Sequence, residues 1–203
     1  MVNIIVKELL RKSIHLLGIL IPGIYYFSDR SAFILWFGLI VGVLFIAEWM
    51  RLRGIISFPG IILRSHEGHK VASYLYMMAS ALIVIALFSK TIAIVAITMA
   101  IIGDTCSGIV GSLWGKGAHV RHTRLPFKPA PILLVMFLTS FFSGYLATIA
   151  PRLDALPIFS LALGALGAMI ADGVPWHIRG RVMDDNLTIP IISALLIFLS
   201  TGL

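Results

Sequence analysis

An aspartate sits in the apolar stretch IIGDTCSGIVGSLWGKG, residues 101–117, and a lysine follows near its end. An acid near the centre of a membrane helix carries an insertion penalty of about 2.5–3.5 kcal/mol. Asp104 therefore calls for a partner or a task. Asp172 ends a second apolar run, and Asp184 and Asp185 open a third, just ahead of Asn186. Helix capping accounts for one acid of that last pair, but not for all of them together with Asp104. Lys116, Arg121, Arg124 and Lys128 follow Asp104 along the chain. Hard oxygens gathered beside cations suit Mg²⁺ with a polyphosphate, because that ion is usually held by one or two carboxylates plus substrate phosphates. The residue types thus point to phosphoryl chemistry. Asp104, with Asp172 or Asp185, is expected on Mg²⁺ or Mn²⁺, and the four cations on phosphate.

Small residues recur every fourth position at Gly103, Ser107, Gly111 and Gly115. Such a face lets helix backbones pack closely. It also lets a phosphate approach, since glycine has no side chain in the way. Glu48 stands three residues before Arg51, so the two share a helix face, either as an interfacial salt bridge or as a charged pair lining a polar cavity. Familiar nucleotide and metal motifs are missing. A Walker A loop needs G-x-x-x-x-G-K-[ST] after a strand, but Gly111 and Gly115 are one residue too close and Gly117 replaces the hydroxyl. There is no G-x-G-x-x-G and no H-E-x-x-H, and HEGH at residues 66–69 reads as a solvated loop. Cys106 is the single cysteine. It excludes an intramolecular disulfide and reads as a small packing residue.

The elements that must position these groups are hydrophobic helices. Of the 203 residues, 59% are hydrophobic and 12% charged, against roughly 25% charged in soluble domains. A bilayer core of ~30 Å needs about 20 helical residues. Seven segments approach that length, at 13–28, 31–50, 71–89, 91–106, 129–150, 156–172 and 187–202. The apolar runs do not alternate as β-barrel strands do. The expected fold is an all-α polytopic integral membrane bundle of about seven transmembrane helices, forming a single domain over 1–203. The first helix reads as retained, since no small-residue cleavage site follows it. Of the sixteen lysines and arginines, only Arg30, Lys90 and Arg152 fall outside the N-terminus and the long connections at 51–70, 107–128 and 173–186. By the positive-inside rule those regions and the N-terminus are cytoplasmic and the C-terminus is outside. The net charge of +7 follows from the same bias, and no nucleic-acid partner is expected. Histidines and acids also gather on that face, which the rule does not require and a working surface does.

With these residues assembled, the chain resembles the CTP-dependent polyprenol kinase family, which includes dolichol kinase, phytol kinase and CTP-dependent diacylglycerol kinase. The family motif D-x-x-A-x-x-x-G-x-x-x-G is matched by Asp104, Gly111 and Gly115, with Ser107 at the alanine position. Lys116 and Lys128 stand where the family has lysines. Asp172 and DNLTIP, with Asp185, Asn186 and Pro190, fit its later acid and D-N-x-x-x-P. Arg11, Lys12, His15, Glu48, Arg51 and Glu67 match its N-terminal half and are further candidates for the polar cavity. After Lys128 the chain reads PAP and then Ile132, where the family has a hydroxyl, a glutamate and a glycine.

The resemblance implies a lipid kinase that uses CTP as phosphoryl donor. The acceptor would be a long-chain isoprenoid alcohol or a diradylglycerol at the cytoplasmic face of a prokaryotic plasma membrane or endoplasmic reticulum. It also assigns nucleotide contacts to Ser107, Gly111, Gly115 and Asn186. Asp185 or His15 would take the hydroxyl proton. Two other readings stand beside it: a CTP:lipid-phosphate cytidylyltransferase-like enzyme, whose K-D…H-G-G-x-x-D-R signature is not found, and a lipid or ion transporter, disfavoured because the charges crowd one face instead of the midplane. The small-residue face serves packing within one chain or between two copies, so a homo-oligomer is compatible with it.

Overall fold

The computed structural model describes residues 12–13, 15–57, 70–117, 127–178 and 181–201, and for residues 114–117, 178, 181 and 182 the backbone alone. Seven α-helices lie among them: α1 (Leu20–Phe27), α2 (Arg30–Leu52), α3 (Ser73–Leu87), α4 (Lys90–Gly117), α5 (Ala130–Thr148), α6 (Ile158–Gly173) and α7 (Asp185–Thr201). A 3-10 turn, Leu17–Ile19, leads into α1. The one non-helical element among the described residues is a hairpin of two-residue strands, β1 (His177–Ile178) and β2 (Arg181–Val182), between α6 and α7.

Each helix falls on an expected segment, with two differences. α4 does not stop near residue 106 but continues to Gly117, because its glycines pack against neighbouring side chains and do not break the helix. The first segment is interrupted: helical residues at 15–16 run into the 3-10 turn, and the eight residues of α1 follow. Three helices are long and apolar enough to cross a membrane, at Arg30–Leu52, Lys90–Leu113 and Ala130–Thr148. The other four apolar helical segments, with α1 counted together with its 3-10 turn as Leu17–Phe27, have 10–17 residues, shorter than the roughly 20 that a full span needs.

α4 is the axis of the bundle. Its apolar window is 72% buried, against 17% for α2 and 22% for α5. Ile92, Val95, Ile97 and Met99 are enclosed on it. α2 packs mainly on α3 and turns Trp36, Val43 and Phe45 outward, as a helix surrounded by apolar solvent can. Gly103 and Gly111 of α4 face α5. A Cβ at Gly103 would collide with Ser140 and Met136, and one at Gly111 would touch Ile132. α6 and α7 approach closely for the same reason, since a Cβ at Gly167 would lie 3.2 Å from the Ile192 carbonyl oxygen.

Polar contacts sort the helix ends into two groups. At one end, Lys90 Nζ donates to the Ser28 carbonyl (2.8 Å) and Arg30 Nη2 to that of Ala86 (2.9 Å). Thr91 Oγ1 donates to Asp154 Oδ2 (3.2 Å) there as well. At the other, the α2 C-terminus meets the α3 N-terminus through Glu48 and Ala72, and α3 meets the start of α7 through Ser73 and Asp184.

Candidate metal and phosphate site

Asp104 stands near the midpoint of α4, Asp172 in the last turn of α6 and Asp185 at the start of α7. The close packing of α6 on α7 brings two of these termini together, and α4 runs beside both. One carboxylate oxygen from each residue lies within 4.8 Å of the others. Asp104 and Asp172 are buried and Asp185 is half-buried. Asp184, the fourth acid, is used differently. Its Oδ1 accepts from the backbone N–H and the Nδ2 of Asn186 (3.0 and 2.9 Å), and its Oδ2 from Ser73 Oγ (2.9 Å). Asp184 therefore caps α7, while Asp185, whose Oδ1 also accepts from the Asn186 N–H (3.0 Å), joins the cluster.

Two ammonium groups sit on the carboxylates. Lys12 Nζ lies 2.8 Å from both Asp104 Oδ2 and the Asp104 carbonyl oxygen. His15 Nε2 stands 3.3 Å from the same Oδ2. Lys128 Nζ donates to Asp172 Oδ1 at 2.6 Å, and its backbone N–H to the Gly173 carbonyl at 3.3 Å. Burial disfavours the charge on Lys128, but the nearby Asp172, Asp185 and Asp104 outweigh it and hold its pKa above the ordinary lysine value. Asp172 Oδ2 is buried with no hydrogen-bond partner among the described residues, although the Asp172 side chain is wholly enclosed. A bare carboxylate oxygen in that position is costly. Asp172 is one of three carboxylates grouped here, the donor set of a hard cation, so the residues present fit Mg²⁺ or Mn²⁺.

A small cavity of about 10 Å³ adjoins Asp104, with His15, Met77, Ser80, Asn186 and Ile189 in its lining. Pro190 shapes one wall. It has no N–H to give the Asn186 carbonyl, and Ser80 Oγ, 2.8 Å from that oxygen, supplies the hydrogen bond from α3.

Glu48 and Arg51 form a separate network. Arg51 Nε and Nη2 clasp Glu48 in a bidentate pair (2.8 and 2.7 Å), and Nη2 also reaches the Lys70 carbonyl (2.6 Å). Glu48 accepts in addition from the Ala72 N–H (2.7 Å) and Tyr74 Oη (3.1 Å). With these contacts the pair fastens the start of α3 to the end of α2. Ser107 is buried, its hydroxyl 3.4 Å from the Asp104 carbonyl, and Gly111 faces Ile132. Gly111 belongs to the α4–α5 contact. Asn186 is buried beneath the α7 cap. Gly115 and Lys116 lie on the α4 backbone. Arg11, Glu67, Arg121 and Arg124 lie outside the described residues.

Sequence reasoning did not find the pairing of Lys12 with Asp104, which spans 92 residues, nor the place of Gly108 beneath it. A Cβ on Gly108 would collide with the end of the Lys12 side chain. The one available signal was a second glycine a turn after the acid. Compared with known proteins, the chain matches no family model, no curated protein and no solved structure.

Proposed function

We propose that the protein is an integral membrane lipid kinase that transfers the γ-phosphoryl group of a nucleoside triphosphate, CTP by family resemblance, to the hydroxyl of a long-chain lipid alcohol. The observation that carries this reading is the convergence of Asp104, Asp172 and Asp185 within 4.8 Å, with a buried oxygen lacking a partner and lysines at the edge. In this reading the seven helices cross the membrane with the cluster towards the cytoplasm. Tilt and local thinning of the bilayer accommodate the shorter helices. Asp104, Asp172 and Asp185 would hold Mg²⁺, which neutralises charge on the β- and γ-phosphates when bound.

The chain's own groups supply the rest. The acceptor's tail stays in the bilayer and its hydroxyl comes up beside His15 and Asp104. The alcohol oxygen forms a bond to the γ-phosphorus as the bond from that phosphorus to the β–γ bridging oxygen breaks. His15 takes the hydroxyl proton, and the nucleoside diphosphate leaves with the bridging oxygen. Phosphoryl transfer depends chiefly on positioning and charge stabilisation, which buried carboxylates and lysines on packed helices provide. The test is incubation of the purified protein and Mg²⁺ with each labelled triphosphate and a panel of polyprenols, phytol and diacylglycerol. Labelled lipid phosphate with free nucleoside diphosphate is expected. Release of pyrophosphate identifies a cytidylyltransferase instead, and no turnover with any pair refutes an enzyme of this class.

A further inference from the structure

Lys12 occupies a seat built for it. Its side chain is almost fully enclosed and lies across Gly108 to reach Asp104. Glycine inside a helix costs about 1 kcal/mol relative to alanine, so α4 carries a destabilising residue where a Cβ would force the end of the Lys12 side chain to shift. Lys128 is anchored differently. Its backbone is fixed to Gly173 and its side chain is 38% exposed, so the ammonium can swing outward while the main chain stays in place. Together they put two positive charges on three carboxylates, and Asp172 Oδ2 still has no partner. The ammoniums cover the oxygens that a divalent ion would use, and they stand beside the place where phosphates would lie.

We propose that Lys12 and Lys128 are placeholder cations. They occupy Asp104 and Asp172 until a divalent ion takes the carboxylates, and the displaced ammoniums then become ligands of the triphosphate. Metal and nucleotide binding are thereby coupled: metal alone has to displace an ammonium, and nucleotide alone finds the ammoniums engaged. Gly108 is the positioning residue that keeps Lys12 on Asp104. The proposal rests on the reading of the acid cluster as a metal site.

Two measurements on the full chain in detergent test it. In a Mn²⁺ titration followed by electron paramagnetic resonance, Lys12→Met and Lys128→Met are each expected to bind Mn²⁺ alone about tenfold more tightly than wild type, and Mn²⁺ with CTP more weakly. Amine acylation read by mass spectrometry is expected to spare Lys12 without metal, label it when Mn²⁺ is saturating, and spare it again with Mn²⁺ and CTP. Gly108→Ala, which keeps the amine but moves it, is expected to label without metal. Unchanged Mn²⁺ affinity in both lysine variants, or Lys12 labelling that ignores Mn²⁺, overturns the exchange. If a lysine variant does not fold, acylation of the wild type decides. Absence of Mn²⁺ binding to wild type removes the metal site itself, whereas Mn²⁺ binding that needs Asp172 but leaves Lys12 unreactive removes only the exchange.

Discussion

The two ends of the bundle use charge in opposite ways. At the end bearing Lys90, polar side chains finish helices and join them. Asp29 caps α2 through the N–H groups of Ser31 and Ala32, and Arg30 and Lys90 each donate to a backbone carbonyl. Thr91 and Asp154 bind each other across a loop. At the opposite end Glu48 and Arg51 behave similarly, but beside them three like charges lie within 4.8 Å. One end is organised for stability. The other gathers three carboxylates under two lysines, and it is there that the proposed ligand is placed.

Substitutions can break or sharpen this contrast. Glu48→Ala should have the largest effect on folding. It leaves Arg51, the Ala72 N–H and Tyr74 without their carboxylate, at about 3 kcal/mol, visible as a lower thermal midpoint. Activity per folded molecule should survive, and its loss would move Glu48 into the working site. Asp172→Asn should do the reverse. Lipid phosphorylation should fall by at least about 10²-fold while the thermal midpoint falls less than in Glu48→Ala, since an amide oxygen can still accept from the partly exposed Lys128. A sharp loss of stability would mean that Asp172 is structural. Ser80→Ala strips the Asn186 carbonyl of its hydrogen bond and should cost about 1–3 kcal/mol, again as a lower midpoint.

Asp29→Ala, at the capped end, should cost about 1 kcal/mol and leave turnover unchanged. The smallest effect concerns Lys128. Its folded-state pKa is raised, so its contribution to stability is fully present below the unfolded value of about 10.4. That contribution is lost only as pH rises through the folded value. The stability difference between wild type and Lys128→Met should therefore be flat from about pH 6 to about pH 9. A difference that closes within that window would place the Lys128 charge in another environment.

Much of the scaffold was legible in the chain because hydrophobic runs are local signals. The seven segments, the capping role of one acid before Asn186 and the pairing of Glu48 with Arg51 follow from neighbours within a few residues. The end of α4 was not legible, because an apolar run marks the extent of a span, and the helix goes on past it through a small and polar stretch to Gly117. Only the partners decide what a small face does, and Met136, Ser140 and Ile132 show that Gly103 and Gly111 serve helix packing. The acids at 104, 172 and 185 could be named from type and placement. The occupancy of two of them by Lys12 and Lys128 could not, since those contacts span 92 and 44 residues and depend on which helices touch.

The most direct test of the central claim is a Mn²⁺ titration of the purified protein, with Asp172→Asn and Asp29→Asn in parallel. The cluster account predicts one saturable site in wild type, its loss in Asp172→Asn and its retention in Asp29→Asn. Equal Mn²⁺ binding by all three proteins, or none by wild type, would contradict it.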